Sequence, residues 1–254
     1  MSHFEEQKLS DYDPFAAVYN KYWTAEIAPQ MIKALDELLL PQLCAKGLLL
    51  DLCCGTGQIA AALIKRGFSV TGLDQSKEMI TLARRNAPAA KFIVRDARSF
   101  RLPAVYHSVI SMFDSLNHIL DARDLLRVFR HVSRALAADG LFFFDLNTER
   151  AFIEHWRDFF AIVEEDEVCI LRGQYNRKKK IGRYDITLFR REAQARNWHR
   201  ADTRIIEKCY PTNQIRALLK EANFADIEIY DARTDVKLAN HTGRKFFLAR
   251  KGKR

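Results

Sequence analysis

The chain has 254 residues, of which 48% are hydrophobic and 29% are charged, a composition typical of a folded globular protein and not of a disordered one. This length is enough for one large α/β domain or for a core domain with an inserted segment. The longest apolar runs are far too short to cross a membrane. The polar, acidic first residues show no apolar segment of a secretory signal.

The net charge of +9 gives information about binding partners, and the five cysteines give information about the cellular compartment. Excess positive charge can attract phosphate-rich partners, and part of it comes from the basic run at residues 177–180. This run separates two strand-like segments, so we interpret it as a solvated hairpin turn, with nucleic-acid contact as the alternative. The cysteines are odd in number and lack metal-ligand spacing, which indicates free thiols, no metal site and a cytoplasmic location.

The first predicted element is an N-terminal helix with an aromatic face. Phe15, Tyr19, Tyr22 and Trp23 are spaced at i, i+4, i+7 and i+8, as on one side of a helix. Packing against a core is the commoner use of such a face, and covering a bound ligand is the alternative.

From residue 48 to residue 147, short apolar runs alternate with helix-like stretches. The runs read GLLLDL, SVTGLD, KFIVRD, HSVISMF and LFFFDLN. This alternation predicts a mostly parallel sheet with crossover helices on both faces. Because the runs are nearly continuous in apolar residues, we expect strands buried on both sides.

After residue 147 the alternation of strand-like and helix-like segments ends. Residues 159–208 contain several long strand-like segments without a helical crossover, which predicts an inserted antiparallel sheet. Thr212 is expected to cap a helix over residues 213–222. Two further strands are expected near residues 227–230 and 246–249.

A glycine-rich turn follows the first strand of the alternation. Asp51 ends that strand, and Gly55 and Gly57 follow in the segment DLCCGTG. Glycines at such a turn let the chain bend tightly and let a ligand approach the main chain. Dinucleotide-binding proteins use the pattern G-x-G-x-x-G instead, and a carboxylate so close would serve a pyrophosphate poorly. A ligand with an ammonium and a sulfonium group fits this turn better.

Acidic residues also lie at the ends of the next two predicted strands: Asp74 ends the second strand, and Asp96 follows the third. A carboxylate at the end of the second strand accepts hydrogen bonds from ribose hydroxyls in nucleotide-binding α/β folds. Capping of the next helix is the alternative for Asp74 alone. Three acidic strand ends, each one βα unit apart, are jointly far more specific than any one.

The segments LLLDLCCGTG, VTGLDQSKEMI and FIVRDA resemble the successive cofactor motifs of the class I, Rossmann-like S-adenosylmethionine-dependent methyltransferases. The resemblance covers residues 48–148 and continues more weakly near the C-terminus. It implies an α/β fold: a doubly wound, mostly parallel seven-stranded sheet with helices on both faces, plus the inserted antiparallel sheet. It also implies S-adenosylmethionine as cofactor and S-adenosylhomocysteine as product.

The resemblance implies a set of cofactor-binding residues as well. Asp51 and the turn at residues 55–57 would hold the amino-acid end of the cofactor, and Asp74 the ribose. Cys53 stands where many relatives have the first glycine of the loop, and it is small enough for binding. The full set is Tyr19, Tyr22, Asp51, Cys53, Gly55, Gly57, Asp74, Gln75, Met79, Asp96, Ala97 and Phe113.

The segments FDSLNHIL and FFFDLNTERAF, with the inserted sheet, resemble a subgroup that acts on small molecules, including sugar-amine N-methyltransferases. In that subgroup a tyrosine-rich N-terminal helix covers the cofactor, which matches Tyr12, Tyr19, Tyr22 and Trp23. His118 and Asn117 are the candidate catalytic residues. His118 would be a general base because its ordinary pKa lies near neutrality, with helix capping or packing as the alternative.

The expected reaction is in-line transfer of a methyl group to a nitrogen or oxygen of a small-molecule acceptor, by a monomer or a homodimer. The expected domains are a helical cap (1–47), a cofactor-binding core (48–148), the inserted sheet (149–210) and a C-terminal part of the core (211–254). Two alternatives stay open. An RNA methyltransferase is favoured by the charge, although residues 113–116 read FDSL where many amino-directed nucleic-acid methyltransferases have an NPPY-type tetrapeptide. A non-catalytic cofactor-binding protein is the other.

Overall fold

The computed structural model of the chain describes residues 10–44, 46–157, 159–191 and 197–253. The expectation about a secretory signal falls on residues 1–9 and lies outside the described residues. The same holds for small parts of the expected cap, inserted sheet and C-terminal region, at residues 45, 158, 192–196 and 254.

In chain order, the strands are β1 (Leu48–Leu52), β2 (Ser69–Asp74), β3 (Lys91–Val94), β4 (Tyr106–Ser111), β5 (Leu136–Asn147), β6 (Phe159–Val163), β7 (Glu167–Asn176), β8 (Ile181–Arg191), β9 (Trp198–Lys208), β10 (Phe224–Asp231) and β11 (Arg244–Lys251). Within the described residues, seven of them form sheet A in the order β10-β11-β5-β4-β1-β2-β3. Only β11 runs antiparallel to its neighbours β5 and β10. The expected doubly wound, mostly parallel sheet is confirmed.

The helices are α1 (Ala16–Val18), α2 (Thr24–Ala34), α3 (Gln58–Lys65), α4 (Lys77–Asn86), α5 (Ala122–Ala135), α6 (Glu149–His155) and α7 (Thr212–Glu221). A π-helical turn, Tyr19–Trp23, joins α1 to α2, and a second one, Leu35–Leu39, continues α2. We call this continuous run, residues 16–39, the N-terminal helix. No helix in the described part of the chain is long and apolar enough to span a membrane.

The core of sheet A explains its continuous apolar runs. On β5, Phe142 and Phe144 pack into a cluster that includes Leu125 of α5, while Phe143 faces the opposite cluster, with Met31 of the N-terminal helix. All three phenylalanines are fully buried. Because helices cover both faces of the sheet, successive residues of one strand are apolar instead of alternating with polar ones.

Sheet B is the inserted antiparallel sheet, with the order β6-β7-β8-β9 in the part of the chain that is described. Its inner face packs on Phe152 and Trp156, at the end of the segment that leads from sheet A, and on Phe15 beside the N-terminal helix. Gly182 allows this approach, since a Cβ there would lie 2.6 Å from ring atoms of Phe152 and Trp156. The basic run at residues 177–180 forms the turn between β7 and β8, as expected.

The start of α7 differs from the sequence expectation. Thr212 is the first residue of the helix, and Pro211 occupies the capping position without a side-chain hydrogen bond. The Pro211 carbonyl accepts from the amides of Gln214 and Ile215. The interpretation of Thr212 as the cap was therefore wrong, because the first turn already closes on the proline carbonyl.

Candidate active site

A cavity of about 490 Å³ opens at the carboxyl edge of sheet A, between the strand ends, the N-terminal helix and sheet B. We distinguish two parts of it. The strand-end half is walled by residues that follow β1, β2 and β3. The insert half is walled by the turn after β4, the start of β11, the end of β9 and residues near α6. Phe113 and Asp114 stand between the two halves.

The turn after β1 shapes the strand-end half with backbone. Cys53, Gly55 and Gly57 all have positive φ angles, of 59°, 52° and 83°. A Cβ at Gly57 would lie 3.0 Å from Cα and Cβ of Ala83 in α4, so only glycine fits this close approach. The left-handed conformation at Cys53 is uncommon for a residue with a side chain and is typical of functional turns.

Asp51 is buried beneath this turn, and its Oδ2 atom has no hydrogen-bond partner. Burial, together with the charge of Asp74, raises the pKa of Asp51 to about 8. A buried carboxyl oxygen without a partner is costly unless a ligand satisfies it. The unpartnered Asp51 carboxyl oxygen therefore fits a ligand with a cationic end, such as the ammonium group of S-adenosylmethionine.

Asp74 and Asp96 line the same half. Asp74 accepts from the backbone amides of Gly55 (3.0 Å) and Ser76 (2.9 Å), and burial raises its pKa. Partial burial would also raise the pKa of Asp96, but the hydrogen-bonded guanidinium of Arg98 lowers it below the usual value. Two carboxylates thus line the cavity at the ends of the second and third strands.

The N-terminal helix is fastened over this half. Its Asn20 Oδ1 accepts from the side-chain amides of Gln58 (2.7 Å) and Asn86 (2.8 Å), on α3 and α4. Tyr19 lies close above the turn, with its ring 3.8 Å from where a Cβ of Gly55 would be. The helix therefore covers one side of the strand-end half.

A buried ionic network forms the floor of the insert half. Arg244 donates to Asp114 (2.9 Å) and to Asp145, and Asn147 donates to Asp114 (2.7 Å). Asp145 is fully buried and Arg244 nearly so. Burial opposes ionisation of Asp114, yet the guanidinium of Arg244 holds its pKa below the usual value. The network places a carboxylate next to the border between the halves.

Tyr12 and His118 face the same space. The Tyr12 hydroxyl lies 3.0 Å from His118 Nε2, and His118 Nδ1 lies 3.2 Å from the Ile206 carbonyl. Burial lowers the pKa of His118, so the ring is neutral near pH 7. Because a carbonyl can only accept, Nδ1 carries the proton and Nε2 accepts from Tyr12. The oxygen lone pairs of Tyr12 are therefore free to accept from a ligand.

Two further features complete the insert half. Glu207 of β9 is 3% exposed, lies with Oε1 3.5 Å from His118 Nε2, and has no hydrogen-bond partner at Oε2. Beyond it stands an aromatic wall made by two ring pairs. These are Trp23 with Phe160, with ring centres 5.5 Å apart, and Trp156 with Tyr184, at 4.4 Å.

Most residues expected from the sequence meet at this cavity. Those that line it are Tyr19, Asp51, Cys53, Gly55, Asp74, Gln75, Met79, Asp96, Ala97, Phe113 and His118. Gly57 does not line it and acts instead through the close contact with α4.

Tyr22 is not brought to the cavity, whereas its neighbour Trp23 is. All four aromatic residues, Phe15, Tyr19, Tyr22 and Trp23, nevertheless pack on the cluster formed with the inner face of sheet B. The common face that the helical spacing predicts is therefore present, although Tyr22 does not line the cavity.

Asn117 is also kept from the cavity. It is fully buried, and its amide donates to the carbonyls of Lys208 (2.8 Å) and Asn147 (3.1 Å) while accepting from the Asn147 amide (2.9 Å). Its side chain is occupied in tying the turn after β4 to β5 and β9. A direct role at the acceptor does not fit this placement.

Sequence reasoning missed Asp145, Glu207 and Arg244. Asp145 carried a usable signal, because a carboxylate inside the run FFFDL must be paired when the strand is buried. Glu207 and Arg244 carried none, since each is a charged residue near a strand end whose partners lie far away in the sequence.

Comparison with known proteins agrees with this geometry. A family model described as a methyltransferase domain matches residues 49–140. The protein YqeM of Bacillus subtilis (strain 168), which is named as a methyltransferase, is 29% identical over 247 residues, covering 95% of this chain and 98% of that protein. The dTDP-3-amino-3,4,6-trideoxy-alpha-D-glucopyranose N,N-dimethyltransferase of Streptomyces venezuelae is 30% identical over 122 residues, 48% of this chain and 49% of that enzyme.

Among solved structures, an S-adenosylmethionine-dependent methyltransferase from Clostridium acetobutylicum superposes with a TM-score of 0.76 at 23% identity, over 96% of this chain and 100% of that one. The order of sheet A and the carboxylate-lined turn define the class, the Rossmann-like class I methyltransferase fold. The methyltransferase domain at residues 49–140 and the relatives named as methyltransferases support S-adenosylmethionine-dependent methyl transfer as the activity of the chain.

Proposed function

We propose that the protein transfers the methyl group of S-adenosylmethionine to a nitrogen or oxygen of a small molecule held in the insert half. The main support for this proposal is that one cavity of about 490 Å³ joins the cofactor motifs to a polar space with aromatic walls. Sites of this size suit small ligands.

The strand-end half is the proposed cofactor site. Asp51 and the turn from Cys53 to Gly55 would hold the amino-acid end, while Asp74 and Gln75 would hold the ribose. Met79, Asp96 and Ala97 would bracket the adenine. When bound, S-adenosylmethionine supplies a methyl group activated by its positively charged sulfur. Tyr19 and Phe113 would shield that end from water, which strengthens electrostatic interactions in the site.

The insert half is the proposed acceptor site. Tyr12, fixed by its hydrogen bond to neutral His118, would accept a hydrogen bond from the acceptor's N–H or O–H and so aim the nucleophile. Positioning of this kind supplies most of what an in-line displacement needs. The Streptomyces venezuelae relative acts on an amino sugar, which supports nitrogen as the acceptor atom. Free cysteines support a cytoplasmic location.

A radiochemical assay tests the proposal. Tritiated S-adenosylmethionine is incubated with the protein and with either a metabolite-sized extract fraction or total RNA. We expect label in small molecules and none in RNA. Replacing Tyr12 by Phe should lower kcat about 10-fold, by the loss of one hydrogen bond, without changing cofactor affinity. Tyr230→Phe, on β10 away from the cavity, is the matched control. Label found in RNA alone would refute the proposal.

A further inference from the structure

Resting on the proposed function, we infer that Glu207 selects the acceptor. It binds the ammonium group of an amine whose body is an apolar ring without phosphate, and it removes the proton that this group must lose before methylation. The inserted sheet thus supplies a specificity residue through β9, in addition to forming a wall.

The placement of Glu207 indicates a ligand. Its side chain lines the cavity, is nearly fully buried, and leaves Oε2 without a hydrogen-bond partner. Tyr12 and His118 already satisfy each other, so neither supplies a donor to that oxygen. An N–H group from the acceptor would fill this position while a second N–H reaches the Tyr12 oxygen.

The charges around Glu207 favour a cation. The groups that face it are Asp114 and His118 from the turn after β4, Asp145 of β5, Arg244 of β11 and Tyr12. Among the described residues that wall the insert half, Arg244 is the one lysine or arginine, and its guanidinium is committed to Asp114 and Asp145. A phosphate would find no free partner there, whereas an ammonium group would find carboxyl groups.

The aromatic wall favours an apolar ring as the body of the acceptor. Its ring pairs, Trp23 with Phe160 and Trp156 with Tyr184, all line the cavity. Aromatic side chains bind planar apolar groups by stacking or edge contacts and also attract ammonium groups. The acceptor class is therefore a cationic amine attached to an apolar ring, in contrast to a nucleotide-linked sugar.

The proton step follows from this placement. In the free protein, burial and the negative charge of Asp114 raise the pKa of Glu207 well above its usual value, which favours the protonated carboxyl. Arrival of an ammonium group favours the carboxylate, and one proton leaves to solvent. The carboxylate then takes a proton from the ammonium group, giving a neutral amine. The amine nitrogen forms a bond to the methyl carbon as the carbon–sulfur bond breaks, yielding a methylammonium product and a neutral thioether.

Binding of three matched probes tests the inference. Protein saturated with S-adenosylhomocysteine is titrated calorimetrically with tyramine, with tyrosol, in which a hydroxyl replaces the amine, and with O-phosphotyramine. We expect tyramine to bind at least about 10-fold more tightly than either analogue, the scale of one hydrogen bond to a charged group. Repeating the titration in buffers of different ionisation enthalpy should show release of about one proton.

Glu207→Gln should abolish both the preference for the amine and the proton release, while S-adenosylhomocysteine affinity shows that the variant is folded. Glu167→Gln is the matched control, since Glu167 is a buried carboxyl of sheet B that pairs with Arg190 outside the cavity. Failure of tyramine to bind, equal binding of tyrosol, or an unchanged preference in Glu207→Gln would overturn the inference. The proposed function would fail separately, by label reaching RNA alone.

Discussion

The strand-end half and the insert half of the cavity share a border at Phe113 and Asp114, but they are built differently. The first is shaped by backbone: a turn with three positive φ angles and carboxylates that accept from main-chain amides. The second is shaped by side chains from distant parts of the chain, held by one buried ionic network. A backbone-built site can stay constant while a side-chain-built site changes, which suits a constant cofactor and a variable acceptor.

The largest effect should come from breaking the network of the insert half. Arg244→Met leaves Asp114 and Asp145 buried without their cation, which should lower the free energy of unfolding by about 3–5 kcal/mol. Arg250→Met is the control, because Arg250 lies on the same strand with an exposed partner, Asp226, and should cost about 1 kcal/mol or less. Urea unfolding measures both. Equal losses would mean that the insert half does not depend on this network.

A smaller effect is expected in the strand-end half. Asp74→Ala removes the carboxylate assigned to the ribose and should weaken S-adenosylhomocysteine binding about 10- to 100-fold, the scale of hydrogen bonds to a charged group. Calorimetric titration gives the affinity. Asp36→Ala removes a carboxylate of a surface ion pair with Arg66 and should leave the affinity unchanged. If the Asp74→Ala variant binds S-adenosylhomocysteine as tightly as the wild type does, Asp74 does not bind the ribose.

The last effect concerns the pH dependence of stability. Since the pKa of Asp51 is raised to about 8 in the folded protein, the folded state keeps a proton that the unfolded chain releases at lower pH. Stability contributed by that proton is present in acid and is lost as the pH rises toward 8. The Tm of the wild type should therefore fall relative to that of Asp51→Asn between about pH 4 and pH 8, the range between the unfolded and folded pKa values of Asp51. Saturation with S-adenosylmethionine should shrink this relative fall, because a cation stabilises the carboxylate. A pH-independent difference would contradict the account.

The two halves also differed in how well the sequence predicted them. Asp51 and Asp74 lie at the ends of β1 and β2, and Asp96 follows β3. Because these consecutive strands are also neighbours in the sheet, local spacing placed the three carboxylates at one edge. Arg244 meets Asp114 across 130 residues, and no local pattern encodes such a contact. Asn117 was misjudged because its amide serves two distant backbone carbonyls.

A crystal structure with S-adenosylhomocysteine bound tests the central claim most directly. We expect the ribose hydroxyls to bind Asp74 and the sulfur to point past Phe113 into the insert half, toward Tyr12, His118 and Glu207. A bound product whose sulfur faces away from these residues, or that lies outside the strand-end half, would contradict it.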